Sequence, residues 1–165
     1  MLDCRSRNNS YLTSAMKTAV DKKLLAERMD SFPGLCLRAG IRVTHQRTEV
    51  YREVAATLEH PDADSIYRRV RRRIPQISPD TVYRTLGLFG EKGIISRVSY
   101  PGDRARFDGN TGQHHHFICT KCGLIRDFRS DALDAVRPRL KNVPCGRITS
   151  VQIELRGLCS RCARA

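Results

Sequence analysis

The sequence predicts an α+β chain, helical in its N-terminal part and β-rich in its C-terminal part. Two features carry that expectation. Three helix-period segments with clear N-terminal caps precede a short basic hairpin. Two Cys-x-x-Cys pairs then bracket a strand, strand, helix, strand pattern. A length of 165 residues with 40% hydrophobic content suits one domain or two small ones with a packed core.

Residues 1–33 read as a polar extension ending at Ser31-Phe32-Pro33-Gly34, with one helix from Ala15 to Met29. Thr44 then caps a helix to about Leu58, with Val50, Val54 and Leu58 on one face. His60-Pro61 breaks it. Asp62 caps a second helix whose Ile66, Tyr67, Val70 and Ile74 face inward and whose outer face is Arg68, Arg69, Arg71, Arg72 and Arg73. Pro75 ends that pattern. Ser78 at N-cap, Pro79 at N1 and Asp80 in the first turn open a third helix, since they satisfy free amides and the helix dipole. Its buried stripe is Val82, Leu86 and Phe89, and Gly93 stops it.

Ile94 to Tyr100 and Arg104 to Asp108 form strands around a Pro101-Gly102-Asp103 turn. Three helices followed by a basic hairpin is the winged-helix order, so residues 34–110 are expected to place their third helix in a DNA major groove. A glycine-containing hinge, 109–112, leads into residues 111–165. Strands are expected there at His115 to Thr120, Leu124 to Phe128 and Arg147 to Arg156, with a helix from Asp131 to Lys141.

The formal net charge of +13 points to a polyanionic partner, usually nucleic acid, the other reading being a merely soluble basic protein. No run approaches the roughly 18 consecutive apolar residues of a spanning helix, and no apolar signal segment follows the N-terminus, so a cytoplasmic chain is expected. Its seven cysteines then read as thiols or metal ligands rather than disulfides.

Cys119-Thr-Lys-Cys122 and Cys159-Ser-Arg-Cys162 are two knuckles that together supply a tetrahedral four-sulfur shell, which suits structural Zn²⁺. The other reading is a pair of redox-active or inert Cys-x-x-Cys motifs. Cys4, Cys36 and Cys145 lack such partners and read as free thiols. A second candidate cluster precedes the first knuckle. In a strand, His114 and His116 share a face and His115 takes the other. Asp108, Asp127 and His60 are nearby candidates for a His/Asp metal site, although nothing local brings His60 to the rest.

The runs HPDADSIYRRV (60–70), SPDTVYRTLGLFGEKGII (78–95), RFD (106–108), HHHFICTKCG (114–123) and the terminal CSRC resemble the Fur family of metal-dependent regulators. The resemblance covers residue 35 to the C-terminus. It implies an N-terminal winged helix that binds DNA, a C-terminal α/β dimerisation domain and a regulatory metal site between them. It places His60, Asp108, His114, His116 and Asp127 at the regulatory ligand positions and the four knuckle cysteines at a structural Zn²⁺. Iron-responsive members generally carry Glu at the positions of Asp108 and Asp127, whereas the peroxide-sensing PerR branch carries Asp at both, as here. A third family site has its two histidine positions filled by Gln113 and Val151. The family's first winged-helix helix often opens Thr-Pro-Gln-Arg, here Thr44-His45-Gln46-Arg47, and His115 replaces a more usual Tyr or Asp.

The resemblance implies a homodimeric repressor that reads a near-palindromic operator and is not an enzyme. Metal at the second site, Fe²⁺ or Mn²⁺, would close the hinge. Peroxide with Fe²⁺ would oxidise His60 or His114 and release DNA. Tyr83 and Arg84 are the expected DNA contacts, with Thr81 and Arg38 secondary and the Arg68 to Arg73 face a further candidate for phosphate. Alternatives are an iron- or zinc-uptake regulator of the same family, a thiol redox switch and, remotely, a metal hydrolase using His114, His116 and an aspartate.

Overall fold

The computed structural model describes residues 18–98, 105–135, 142–143, 146–147 and 151–164. Cys4, Cys145, the Pro101-Gly102-Asp103 turn and most of the expected helix after Asp134 lie outside these residues.

Three of the four long helices start where their caps predict. Thr44, Asp62 and Ser78 each accept the amide three residues on, from Arg47, Ser65 and Thr81, and open α2 (His45–Ala55), α3 (Ala63–Arg71) and α4 (Pro79–Glu91). The expected apolar stripes pack together. Val50, Val54, Ile66, Val70, Val82 and Phe89 are fully buried in one core, with Leu86 beside them. Helices α2 and α3 stop three residues before Leu58 and Ile74. Ile74 still packs against the core from the following turn.

The first helix departs from expectation. α1 runs Lys22–Arg38, straight through the Phe32-Pro33-Gly34 stop, behind an Asp21 cap. Pro33 sits on the exposed face, while Phe32 and Cys36 are buried on the other. The Phe32 ring stacks on Tyr51 at 4.4 Å and meets Phe89 edge-on at 5.7 Å. An interior proline costs about 3 kcal/mol. Burying a Phe gains about 1.5–3 kcal/mol, and Cys36, Leu25 and Met29 add to it from the same face. The expected helix is met from Lys22 to Met29, but the stop expected at Ser31-Phe32-Pro33-Gly34 is not, because tertiary packing outweighs the local proline signal.

β1 (Ser96–Val98) and β2 (Arg106–Asp108) pair antiparallel, Ser96 opposite Asp108. The C-terminal part is a three-stranded sheet in the order β4-β3-β7. β3 (His115–Cys119) pairs antiparallel with β4 (Ile125–Phe128) and parallel with β7 (Glu154–Gly157). A short α5 (Asp131–Asp134) follows β4, and β5 (Asn142–Val143) pairs with β6 (Gly146–Arg147). Of the final strand expected from Arg147 to Arg156, Arg147 falls in β6 and Glu154 to Arg156 in β7, and residues 148–150 lie outside those described. Among the described residues, the buried apolar cluster of this part is Ile118 and Ile125, packed with Val98 of β1.

Two contacts hold the linker onto the helices. Pro61 O accepts from Phe107 N at 3.0 Å, and Asp62 bridges Arg106. At Gly109 an added Cβ would lie 3.0 Å from Ala55 Cα and 3.1 Å from Val54 O, both backbone atoms of α2. Gly109→Ala is therefore expected to force the linker off α2 at a cost of about 1–3 kcal/mol, read as a lower urea midpoint.

Candidate metal centre

The fold assembles two clusters of metal-ligating side chains. The first forms where β3 ends beside the end of β7. Each Cys-x-x-Cys closes as a turn, with Gly123 N donating to Cys119 O and Ala163 N to Cys159 O, both at 2.9 Å. Gly123 has φ 74°, a conformation glycine adopts without strain. Parallel pairing sets Cys119 opposite Gly157, which carries the second knuckle to the first. The four sulfurs lie within 4.8 Å of one another, and Cys122 Sγ is 3.8 Å from Cys159 Sγ. Sulfurs about 2.3 Å from a tetrahedral centre stand about 3.8 Å apart. Backbone amides from Cys159 and Cys122 stabilise the thiolate of Cys119 and bring its pKa down to about 6. The Cys162 amide lowers that of Cys159, while burial and the neighbouring sulfurs push Cys162 up to about 12.

The second cluster draws on both parts of the chain. Strand alternation puts His114 and His116 on one side of β3 and His115 on the other. His116 pairs with Asp127 across β3 and β4. Asp108 comes from the end of β2. His60, at φ 51°, is brought in by the 60–62 turn running beside β2, where Arg106 Nη1 donates to His60 O at 3.3 Å. His60 Nε2 is 2.8 Å from Asp127 Oδ1, and His114 Nε2 is 2.9 Å from Asp108 Oδ2. His116 Nε2 is 3.7 Å from each of those two oxygens and 3.0 Å from His114 Nε2. Donors about 2.1 Å from a common centre lie about 2.9–4.2 Å apart; the ligand atoms of His60, Asp108, His116 and Asp127 all lie within 4.8 Å of one another, and His114 stands at the edge of that set, against Asp108 and His116.

The cluster is dry. His60 and His116 are 2% exposed, His114 1% and Asp108 5%. Yet His60 Nε2, Asp108 Oδ2 and Asp127 Oδ1 are buried and, although each has an opposite group within 3 Å, none makes an aligned hydrogen bond. Such atoms are costly in a protein interior unless a cation meets them. His114 Nδ1 lies 2.7 Å from Gly112 O, so the neutral ring donates there and keeps its Nε2 lone pair for the cluster. Burial opposes charge on His60, but the Asp108 and Asp127 carboxylates prevail and raise its pKa to about 9. Burial likewise opposes the Asp108 charge, and the histidines outweigh it, holding its carboxyl far below the usual range. His114 is raised too, with Asp108 overcoming burial. The set of three imidazoles and two carboxylates fits a divalent cation of intermediate hardness.

His115 is fully buried away from this cluster, its Nε2 3.3 Å from Asp134 Oδ1 and its Nδ1 accepting from Ile153 N. Gln113 Nε2 donates to Val151 O at 2.7 Å. Sequence reading overlooked Asn110, which touches both aspartates: its N–H donates to Asp108 Oδ1 at 2.7 Å and its Nδ2 lies 3.5 Å from Asp127 Oδ2. The only local signal was an Asp-Gly-Asn turn composition, read there as hinge.

On α4, Tyr83 and Arg84 are exposed and Thr81 partly so. Tyr83 OH donates to Asp64 Oδ1 at 2.5 Å, and Arg84 pairs with Asp80 at 3.7 Å. Thr81, Arg84, Thr44, Gln46 and Arg47 line an open groove of about 470 Å³ between α2 and α4. Arg38 is exposed at the end of α1. Within the arginine cluster, Arg73 ties α3 to Glu49 and Glu53 of α2, and Arg69 pairs with Glu59 at 3.3 Å. Arg68, Arg71 and Arg72 remain exposed. No helix of the described residues is long and apolar enough to cross a membrane.

The model of the ferric uptake regulator family matches residues 38–156. A peroxide-responsive repressor, PerR, of Staphylococcus epidermidis is 38% identical over 76% of this chain and 83% of its own. The peroxide operon regulator of Bacillus subtilis is 34% identical over 76% and 86%. A solved zinc-bound manganese uptake regulator is 32% identical, with a TM-score of 0.60 over 78% of this chain and 98% of its own.

Proposed function

The chain belongs to the ferric uptake regulator family, and on that premise we propose that it is a homodimeric, metal-dependent DNA-binding repressor that senses peroxide. One observation carries this reading above the others. A cluster brings His60 from the helical part, Asp108 from the junction, and His116 and Asp127 from the β-rich part to within 4.8 Å of one another, with His114 2.9 Å from Asp108 Oδ2 beside them. Residues 34–110 then form the DNA-binding domain, 111–165 the dimerisation domain, and 1–33 an extension whose end is built into α1.

In this assignment Cys119, Cys122, Cys159 and Cys162 hold a structural Zn²⁺, and His60, Asp108, His114, His116 and Asp127 hold a regulatory Fe²⁺ or Mn²⁺. Bound Fe²⁺ would activate peroxide beside its own ligands, the net change being one peroxide oxygen added to a ligand ring and the other lost as water. The chain's residues do the rest. His60 and Asp127, joined at one point, fix the helical part against the sheet. That closed arrangement spaces the two α4 helices of a dimer for two half-sites, and metal shifts the population toward it. His60 and His114 are the side chains assigned to take up oxygen. An oxidised ring offers a poorer donor, and the closed arrangement loses its tie.

Thr81, Tyr83, Arg84 and Arg38 are assigned to DNA. The arrangement of α4 beside an open, basic groove supports this. Arg84→Ala is expected to weaken DNA binding by about 1–3 kcal/mol, with zinc content and dimer unchanged, in anisotropy titrations at fixed salt.

A duplex selected from a random pool in the presence of Mn²⁺ tests the whole assignment. Both Mn²⁺ and Fe²⁺ should support binding, and peroxide should release only the iron form. The likeness to a manganese uptake regulator favours a second reading, a metal-uptake regulator, for which binding would follow metal supply and ignore peroxide.

A further inference from the structure

Asn110 contacts, directly or through one peptide, three of the five side chains in the regulatory cluster. Its backbone N–H donates to Asp108 Oδ1 at 2.7 Å. Its Nδ2 lies 3.5 Å from Asp127 Oδ2. Its Oδ1 accepts from Gly112 N at 3.2 Å, and the carbonyl of that same Gly112 lies 2.7 Å from His114 Nδ1. Ser96 Oγ, on β1, donates to Asn110 O at 3.5 Å and ties the turn to the wing.

The consequence lies in which oxygens remain. Asn110 engages Oδ1 of Asp108 and Oδ2 of Asp127. The other oxygen of each carboxylate, Asp108 Oδ2 and Asp127 Oδ1, is buried, makes no aligned hydrogen bond and faces the histidines. A carboxylate that already accepts a hydrogen bond on one oxygen is biased to offer a cation only the other. The two aspartates reach the cluster from different strands, β2 and β4, so one residue sets the orientation of both.

We propose that Asn110 is a positioning residue that makes Asp108 and Asp127 each present a single oxygen to the regulatory metal, while its turn fixes the ring of His114. This rests on the metal assignment above and adds to it the element that sets how many donor atoms the chain supplies. With Asn110 in place the donors number five, one per side chain. Without its amide, Asp127 is free to swing and chelate through both oxygens.

Two substitutions separate the amide from the turn. Asn110→Ala removes both side-chain contacts and keeps the backbone N–H on Asp108. Asn110→Asp keeps an oxygen to accept from Gly112 N but sets a carboxylate oxygen against Asp127 Oδ2. The probes are Mn²⁺ affinity, by competition with a chelating indicator, and the visible absorption of Co²⁺, whose intensity falls as coordination rises from five to six. Zinc content and dimer mass establish that each variant is folded. Asn110→Ala should bind Mn²⁺ about tenfold more weakly, at the low end for partners that orient metal ligands, and its Co²⁺ bands should weaken. Asn110→Asp should be worse than alanine. If both variants match the unsubstituted chain in affinity and spectrum, the proposal is overturned. If Asn110→Asp restores what alanine loses, only the turn matters and the role at Asp127 is overturned. Failure of the unsubstituted chain to give a Co²⁺ spectrum would instead sink the metal assignment itself.

Discussion

His60→Ala is expected to abolish metal-dependent DNA binding while leaving the dimer and the cysteine site intact. His60 is the cluster residue contributed by the turn between α2 and α3, and its Nε2 sits 2.8 Å from Asp127 Oδ1 on the sheet. Its removal leaves four donors, of which only Asp108, at the end of β2 and the edge of the linker, belongs to residues 34–110, so metal that still binds no longer ties the helices to the sheet. Partners that only orient ligands already cost about 10–100-fold in metal affinity, so loss of a ligand should cost about 100-fold or more. DNA affinity should then fall toward the non-specific level, about a thousandfold or more below specific binding. The variant also removes a charged ring from between two buried carboxylates, where breaking a buried pair costs about 3–5 kcal/mol. Thermal unfolding with zinc retained would separate that effect from loss of closure. Mn²⁺-dependent binding that survives in His60→Ala would contradict the hinge role.

Cys162→Ser should have the larger effect on stability. Among the described residues, the β-rich part contributes only Ile118 and Ile125 to an apolar cluster with Val98 of β1, too small to hold a sheet alone. The knuckles close the ends of β3 and β7, where Thr120 N donates to Gly157 O at 2.8 Å. Structural Zn²⁺ supplies about 10–16 kcal/mol in comparable small sites, and an unfolded chain has no preformed sulfur cage. The serine variant should lose zinc, most of its β-sheet circular dichroism and its dimer in sedimentation. The helical core, built around Phe32, Tyr51 and Phe89, should persist. A zinc-free variant that keeps sheet and dimer would show that the cysteines do not staple the fold.

Much of this was legible because it is local. Thr44, Asp62 and Ser78 announce helix starts by a bond spanning three residues. The placement of His114 and His116 together, and His115 opposite, follows from the two-residue period of a strand. The Cys-x-x-Cys spacing needs only a tight turn. What escaped the sequence is non-local. Proline chemistry at Pro33 predicts a stop, and only the packing of Phe32 and Cys36 on α2 and α4 overrides it. The approach of His60 depends on Pro61 and Asp62 pairing with β2, some 45 residues on. Asn110 looks like hinge composition until both aspartates are seen around it.

Peptide mass spectrometry after brief peroxide treatment tests the sensing mechanism most directly, with Fe²⁺-loaded protein compared against Mn²⁺-loaded protein. The expected result is a gain of one oxygen on the peptide holding His60 or His114, in the iron form alone, with the zinc retained. Oxidised cysteines and lost zinc, with both histidines unchanged, would contradict it and point to a thiol switch. An unmodified chain in both forms would leave a metal-uptake regulator in its place.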